Sequence, residues 1–224
     1  MRARSFLLCL FGSLLSGLLF MNAFSHASES APVILCLGDS LTAGFGVMPG
    51  EDYPALLQQR LRAHGFAHRV INAGLSGDTT AGAMRRLDWS LRSQPKIAIV
   101  VLGANDGLRG LDLAEMKQNL LTIMTRLRQA KVELMLLGGM QLPPNYGAGY
   151  DVRFQAIYPE VAEETGATLI PFFLEGVAGQ PHLNQSDGIH PTAAGYRIIA
   201  EHVWRHLLPW LNGSSSSAAS GSSP

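Results

Sequence analysis

Four short segments of the sequence combine glycine with side chains that transfer protons or donate hydrogen bonds. They read GDSL at residues 38–41, GLSGDT at 74–79, GANDG at 103–107 and DGIHP at 187–191. A serine, a histidine and an aspartate are among them, and acyl transfer to a hydroxyl group requires these three residue types. The serine attacks, the histidine takes its proton, and the aspartate orients the histidine ring. The segments therefore predict a site for nucleophilic catalysis, provided that the fold brings them together.

Each residue of this predicted site has a specific role. Ser40 is the candidate nucleophile and His190 the candidate base, with Asp187 in the same turn as His190 and able to reach its far ring nitrogen. The backbone N–H groups of Ser40 and Gly74 and the side-chain amide of Asn105 form the candidate oxyanion hole. Gly74 suits that role because a residue without a side chain lets backbone and ligand approach closely. The competing interpretations are a helix N-cap for Ser40 and a plain loop histidine for His190.

The elements that must position these residues are short apolar runs that alternate with longer helical patterns. Several runs are apolar throughout, which is typical of parallel strands covered on both faces. The predicted strands are Val33–Leu37, Arg69–Ala73, Ile97–Leu102, Val132–Leu137 and Thr168–Pro171. The predicted helices are Tyr53–His64, Thr80–Leu91, Leu113–Ala130, Tyr150–Thr165 and Thr192–Leu207. This alternation predicts an α/β fold of three layers, in which ligands bind beyond the carboxyl ends of the strands.

At this point the sequence resembles the GDSL, or SGNH, hydrolase family, whose four blocks centre on a Ser, a Gly, an Asn and a His. The blocks around Ser40, Gly74, Asn105 and His190 come in the family's order and span residues 34–191. The segments LTAGFGV, GANDGLRG and LPPNYG are most similar to the branch of periplasmic thioesterase I, arylesterase and lysophospholipase. The resemblance implies a flavodoxin-like five-stranded parallel sheet of order 2-1-3-4-5, a Ser–Asp–His triad, no metal and no cofactor. The G-x-S-x-G elbow of standard α/β-hydrolases is missing from these blocks.

The loop GGMQLPPNYGAGY at residues 138–150 is the candidate substrate-binding segment. Its side chains Met140, Leu142, Pro143 and Tyr146 suggest an apolar wall for an acyl chain, and the competing interpretation is an ordinary connector. The resemblance implies aryl esters, acyl esters, fatty acyl thioesters and lysophospholipids as substrate classes. A carbohydrate O-acetylesterase, which a short polar pocket would favour, and a binding module without turnover are the alternatives.

The two ends of the chain differ in composition from the domain between them. Arg2 and Arg4 precede an apolar stretch and small residues at 25 and 27, so residues 1–27 are expected to be a secretory signal peptide, with a retained anchoring helix as the alternative. The hydrolase domain is then expected at residues 30–211, followed by a flexible Ser/Gly-rich tail at 212–224. Export predicts a periplasmic or secreted protein without a stable membrane anchor. Cleavage would leave Cys36 as the single cysteine, inside an apolar run.

The charge of the chain bounds its partners. Lysine and arginine number 17, as do aspartate and glutamate, so the formal net charge is zero. This balance argues against a nucleic-acid partner, which normally requires a basic surplus or stripe. The sequence shows no long heptad pattern, so the expected state is a monomer acting on a small-molecule ester or thioester.

Overall fold

The computed structural model describes residues 31–143 and 146–220, with residues 214–220 and Ala148 described by their backbone alone. The predicted signal peptide lies outside the described residues. Five parallel strands form one sheet in the order β2-β1-β3-β4-β5, which confirms the predicted topology. The strands are β1 Val33–Gly38, β2 Arg69–Gly74, β3 Ile97–Val101, β4 Leu134–Gly138 and β5 Thr168–Ile170.

The register of the sheet aligns the segments that were predicted to meet. Gly38 at the end of β1 pairs with Gly74 at the end of β2 and with Val101 at the end of β3. Every residue of β1 and β3 is buried, because both strands are central and both of their faces are covered. The carboxyl ends of β1, β2 and β3 therefore open onto one shared edge.

Seven helices connect or follow the strands within the described residues. They are α1 Ser40–Ala43, α2 Tyr53–Ala63, α3 Thr80–Leu91, α4 Ala104–Leu108, α5 Leu113–Gln129, α6 Ala148–Thr165 and α7 Ala193–Ser220. Helices α2, α3, α5 and α6 follow the predicted spans closely, and the apolar stripe of α5 is buried as expected. The predicted helix spans contain neither α1 nor α4, and the span predicted for α7 ended thirteen residues early, at Leu207. Since α7 runs unbroken through residues 211 and 212, the predicted start of the flexible tail does not coincide with the end of a helix.

The helices pack in two groups, with α2 against α7 in one and α3 against α5 and α5 against α6 in the other. Polar side chains begin several of them: Asp52 accepts a hydrogen bond from the Ala55 N–H, and Asp112 caps α5 in the same manner. None of the long helices in the described part of the chain is apolar enough to cross a membrane. What matters for the site is that α1, α3 and α4 all begin at the shared edge of the sheet.

Candidate active site

Ser40 lies at the first turn beyond β1, where the chain changes direction into α1. The Asp39 carboxylate caps this helix by accepting a hydrogen bond from the Leu41 N–H at 3.0 Å. The turn holds the Ser40 hydroxyl beside the edge of the sheet, where Oγ lies 2.9 Å from Nε2 of His190. The two residues are 150 positions apart in sequence, so this contact comes from the tertiary fold.

His190 is held by the loop that precedes α7. Its carbonyl accepts a hydrogen bond from the Gln185 N–H at 2.7 Å, and the Gln185 side-chain amide donates to the Phe45 carbonyl at 2.8 Å. The Phe45 ring lies 4.6 Å from the imidazole ring and covers one side of it. The loop that carries His190 is thereby tied to the segment that follows Ser40.

Asp187 contacts His190 through both its side chain and its backbone. Its Oδ2 lies 2.7 Å from His190 Nδ1, and its Oδ1 accepts hydrogen bonds from the N–H groups of Ile189 and His190, each at 3.0 Å. Burial acts to raise the pKa of Asp187, but these hydrogen bonds outweigh it and lower the pKa to about 2. The carboxylate is therefore ionised at neutral pH and accepts from Nδ1–H, which leaves Nε2 to accept from the Ser40 hydroxyl.

Asn105 reaches the same edge from α4, the short helix after β3. Gly103 begins this helix with φ of 101°, a conformation that favours glycine. A Cβ at Gly103 would also lie 2.5 Å from the Tyr158 hydroxyl oxygen. The Asn105 amide nitrogen donates to the Asp78 carbonyl at 3.0 Å and, at a longer 3.3 Å, to the Asp39 carboxylate.

Asp39 and Asp106 hold this edge together from inside the protein. Burial raises the pKa of Asp39 to about 6, against the opposing influence of the Leu41 N–H and His190. The buried Asp106 carboxylate accepts hydrogen bonds from both the backbone N–H and the hydroxyl of Thr80, at 2.9 and 2.6 Å. Asp106, a residue of α4, thus fixes the start of α3 to α4.

Gly74 occupies the predicted place at the end of β2, but its N–H is not free. It donates to the Asn72 side-chain oxygen at 2.9 Å. A Cβ at Gly74 would lie 2.2 Å from the Ala43 nitrogen, so close packing against α1 explains the glycine. The predicted role of Gly74 as an oxyanion donor would require the bond to Asn72 to break. Three residues further on, Gly77 is exposed with φ of 81°, and none of the described residues accepts a hydrogen bond from its N–H.

A cavity of about 490 Å³ opens beside Ser40 and His190. Three of the four residues predicted from the loop at 138–150 line it, namely Met140, Leu142 and Pro143. Further apolar side chains that no motif indicated complete the wall: Leu108, Phe172, Leu174, Ala178 and Ile189. The position of this cavity and its apolar lining suit a hydrocarbon chain attached to a carbonyl at Ser40.

Tyr146 corrects the fourth of these predictions, because it does not line the cavity. Its hydroxyl donates to the Leu108 carbonyl at 3.0 Å. Tyr150 makes a similar bond to the Leu111 carbonyl at 2.9 Å. These two tyrosines attach the start of α6 and the residues just before it to the end of α4 and the segment that follows.

Cys36 was predicted to be a small buried residue, and the structure places it in the core. It is fully buried within β1, and burial raises the pKa of its thiol to about 12. The thiolate is the reactive form, and it does not form at neutral pH under these conditions. Cys36 therefore serves as a small core residue, as its place in an apolar run predicted.

Comparison with known proteins places this geometry in a family. Residues 36–198 match the GDSL-like Lipase/Acylhydrolase family. The chain is 42% identical over 199 residues to Esterase TesA of Pseudomonas aeruginosa, covering 88% of this chain and 98% of that protein. It is 37% identical over 195 residues to Thioesterase 1/protease 1/lysophospholipase L1 of Escherichia coli, covering 87% of this chain and 92% of that protein. The solved structure of AlinE4, an SGNH-hydrolase family esterase, matches with a TM-score of 0.67 and 46% identity, over 87% of this chain and 98% of that one. The chain thus belongs to the GDSL-like lipase/acylhydrolase family.

Proposed function

We propose that this protein is a serine ester hydrolase that cleaves carboxylic esters and thioesters through an acyl-enzyme on Ser40. The observation that carries the proposal is the continuous line of hydrogen bonds from Ser40 through His190 to Asp187, at 2.9 and 2.7 Å, beside an apolar cavity. A helix cap alone does not explain Ser40, because Asp39 supplies the cap of α1. A loop histidine without a function does not explain the two-sided contact of His190.

The reaction begins when Ser40 Oγ attacks the substrate carbonyl carbon and His190 Nε2 takes the hydroxyl proton. The new C–O bond forms as the carbonyl π electrons move onto oxygen, and the ionised Asp187 stabilises the imidazolium. His190 then gives its proton to the leaving alcohol or thiol as the bond to that group breaks. A water molecule, deprotonated by His190, attacks the acyl-enzyme and releases the acid and free Ser40.

Three donors are proposed to stabilise the oxyanion of this reaction. The Ser40 N–H and the Asn105 amide keep their predicted roles, and Asn105 would exchange its longer contact with Asp39 for the oxyanion. We assign the third donor to the Gly77 N–H in place of Gly74, because Gly77 shares a turn with the Asp78 carbonyl that anchors Asn105. A crystal structure of a phosphonate adduct tests the assignment. Its phosphoryl oxygen must lie within about 3.1 Å of the Gly77 nitrogen; the same contact with the Gly74 nitrogen would contradict it.

The cavity favours substrates with an acyl chain longer than acetyl. Met140, Leu142 and Leu174 in its wall present hydrocarbon, and apolar side chains outnumber the amide groups of Gln141 and Asn184 in the lining. A carbohydrate O-acetylesterase needs a short polar pocket, so this alternative is less well supported. The relatives named as esterase, thioesterase and lysophospholipase support fatty acyl esters, thioesters and lysophospholipids as the substrate classes.

We also propose that the protein is exported, as the order of charged, apolar and small residues in the first 27 positions suggests. The periplasm is the proposed compartment and full secretion the alternative. N-terminal sequencing of the protein recovered from each cell fraction tests both. A protein that retains Arg2 and Arg4 in the cytoplasmic fraction would contradict export.

The experiment for the proposed function compares kcat/KM across acyl chains. The panel contains p-nitrophenyl esters from acetate to palmitate, palmitoyl-CoA, a lysophospholipid and an acetylated sugar, with Ser40→Ala as the control. The proposal predicts a maximum at medium or long chains, cleavage of the thioester and lysophospholipid, and no turnover by the control. Turnover by Ser40→Ala would refute the mechanism, and activity confined to the acetylated sugar would favour the carbohydrate esterase.

A further inference from the structure

Arg86 on α3 lies beneath the site and donates three hydrogen bonds to three different segments. Its Nε contacts the Asp78 carboxylate at 2.7 Å, Nη1 donates to the Ala73 carbonyl at 2.8 Å, and Nη2 donates to the Gly38 carbonyl at 2.8 Å. The arginine side chain is 21% exposed and that of Asp78 only 7%. Bonds to a charged donor in such a sheltered place are stronger than those of an exposed ion pair.

The three acceptors lie at the carboxyl ends of β1 and β2 and in the turn after β2, next to the candidate site residues. Gly38 is the last residue of β1, two positions before Ser40. Ala73 lies near the end of β2. Asp78 closes the turn after β2, and its backbone carbonyl accepts the hydrogen bond from Asn105. One guanidinium group therefore joins the strand that precedes Ser40 to the turn that anchors Asn105.

A second set of bonds completes the connection through the start of α3. The carboxylate of Asp106, the neighbour of Asn105 in α4, accepts from the N–H and hydroxyl of Thr80, the first residue of α3. Helix α3 is thus fixed to α4 at its start and, through Arg86, to β1 and β2 one and a half turns later. Arginine is required because a planar guanidinium donates in several fixed directions, whereas a lysine ammonium on a flexible stem does not reproduce that fork.

From this arrangement we propose that Arg86 is a positioning residue for ester hydrolysis. It holds the Ser40 N–H and the Asn105 amide at a fixed separation, so that both donors meet the oxyanion as charge develops on it. Donors that are already in place stabilise a transition state without reorganisation. Loss of Arg86 should therefore lower kcat and leave KM nearly unchanged, because neither Arg86 nor its partner Asp78 lines the apolar cavity that binds the acyl chain. This inference rests on the proposed function.

The test is a double-mutant cycle between Arg86→Met and Asn105→Ala, measured on p-nitrophenyl butyrate. Arg86→Met alone should lower kcat by roughly 10- to 100-fold with KM within about twofold of the wild-type value. In the Asn105→Ala background the same substitution should lower kcat by a smaller factor, because only its effect on the Ser40 and Gly77 N–H groups remains. Equal losses of kcat in both backgrounds would overturn the inference, as would a loss of thermal stability with unchanged kcat.

Four further variants serve as controls for this cycle. Arg60→Met is the matched control, since Arg60 is also partly buried and pairs with Glu201 far from the site; its kcat should equal that of the wild type. Should Arg86→Met fail to fold, Arg86→Lys and Asp78→Asn retain most of the packing, and both should still lower kcat without raising KM. Wild-type kcat in those two folded variants would overturn the inference. Ser40→Ala in the same assay separates the hypotheses, because turnover there refutes the proposed function itself.

Discussion

Asp187→Asn replaces the carboxylate oxygen that faces His190 with an amide NH2 group while it preserves the shape of the loop. The asparagine oxygen can still accept hydrogen bonds from the backbone N–H groups of Ile189 and His190, which Oδ1 of Asp187 now accepts at 3.0 Å. The negative charge 2.7 Å from His190 Nδ1 is lost. The substitution therefore tests the electrostatic support of His190 with little disturbance of its position.

The size of the effect follows from the charge that develops on His190 during the reaction. An imidazolium and a carboxylate with charge centres about 4 Å apart attract by about 1 kcal/mol in water and about 4 kcal/mol at an effective dielectric constant of about 20. Because 38% of the Asp187 side chain is exposed, solvent screening reduces the upper value. A loss of about 2–3 kcal/mol corresponds to a kcat roughly 30- to 150-fold lower. Because the asparagine oxygen keeps the two backbone hydrogen bonds, its NH2 group faces Nδ1 and imposes the wrong tautomer, which in serine proteases lowers kcat by roughly 10⁴-fold. The electrostatic loss is therefore the smallest effect expected.

The assay is the steady-state hydrolysis of p-nitrophenyl butyrate at neutral and mildly alkaline pH, with thermal unfolding as a check on folding. Asp88→Asn is the matched control, because Asp88 forms an exposed ion pair with Arg126 far from Ser40; its kcat should stay at the wild-type value. A kcat for Asp187→Asn within roughly threefold of the wild type would refute the reasoning. Asp187 would then serve only to shape the loop.

Three further predictions concern the packing, the titration and the cavity. Gly74→Ala places a Cβ 2.2 Å from the Ala43 nitrogen, so urea denaturation should show a loss of about 1–3 kcal/mol in unfolding free energy; unchanged stability would contradict the packing role. The pKa of Asp39 is raised from 3.8 to about 6, so the unfolding free energy of the wild type relative to Asp39→Asn should fall as the pH rises through that window. A difference in unfolding free energy between wild type and Asp39→Asn that does not change with pH would argue against a buried Asp39 carboxyl group with a raised pKa. Ala178→Phe fills an exposed part of the cavity wall and should lower kcat/KM for palmitate roughly 10- to 200-fold while that for acetate changes little; equal losses for both esters would place the acyl chain elsewhere.

The sequence predicted the sheet and the meeting of its polar segments because parallel strands all present their carboxyl ends at one edge. Gly38 pairs with both Gly74 and Val101 at that edge, so the segments that follow these residues begin close together. Continuous apolar runs identified the central strands β1 and β3, because both faces of a central strand are covered and all of its side chains are buried. Helices α1 and α4 escaped prediction because four or five residues span barely one turn and show no helical periodicity.

The finer contacts depend on how individual side chains and backbone N–H groups are oriented, which the residue types do not specify. Gly74 ends β2 and Gly77 lies in the turn that follows it. Residue type does not distinguish them, whereas the hydrogen bond from the Gly74 N–H to Asn72 shows that Gly74 is the glycine with a partnered N–H. Tyr146 lies in an apolar segment and turns away from the cavity because the Leu108 carbonyl accepts its hydroxyl. Arg86 belongs to a type usually found at the surface, and its partner Gly38 is 48 residues away, so no local pattern indicated it.

The most direct test of the central claim is the covalent capture of the nucleophile. The purified protein is treated with a p-nitrophenyl alkylphosphonate, and peptide mapping by mass spectrometry locates the adduct while the release of p-nitrophenol is counted. The account predicts one phosphonyl group per chain, bound to Ser40 Oγ, with no labelling of Ser40→Ala. An adduct on another residue, or equal labelling of Ser40→Ala, would contradict the assignment of Ser40 as the nucleophile.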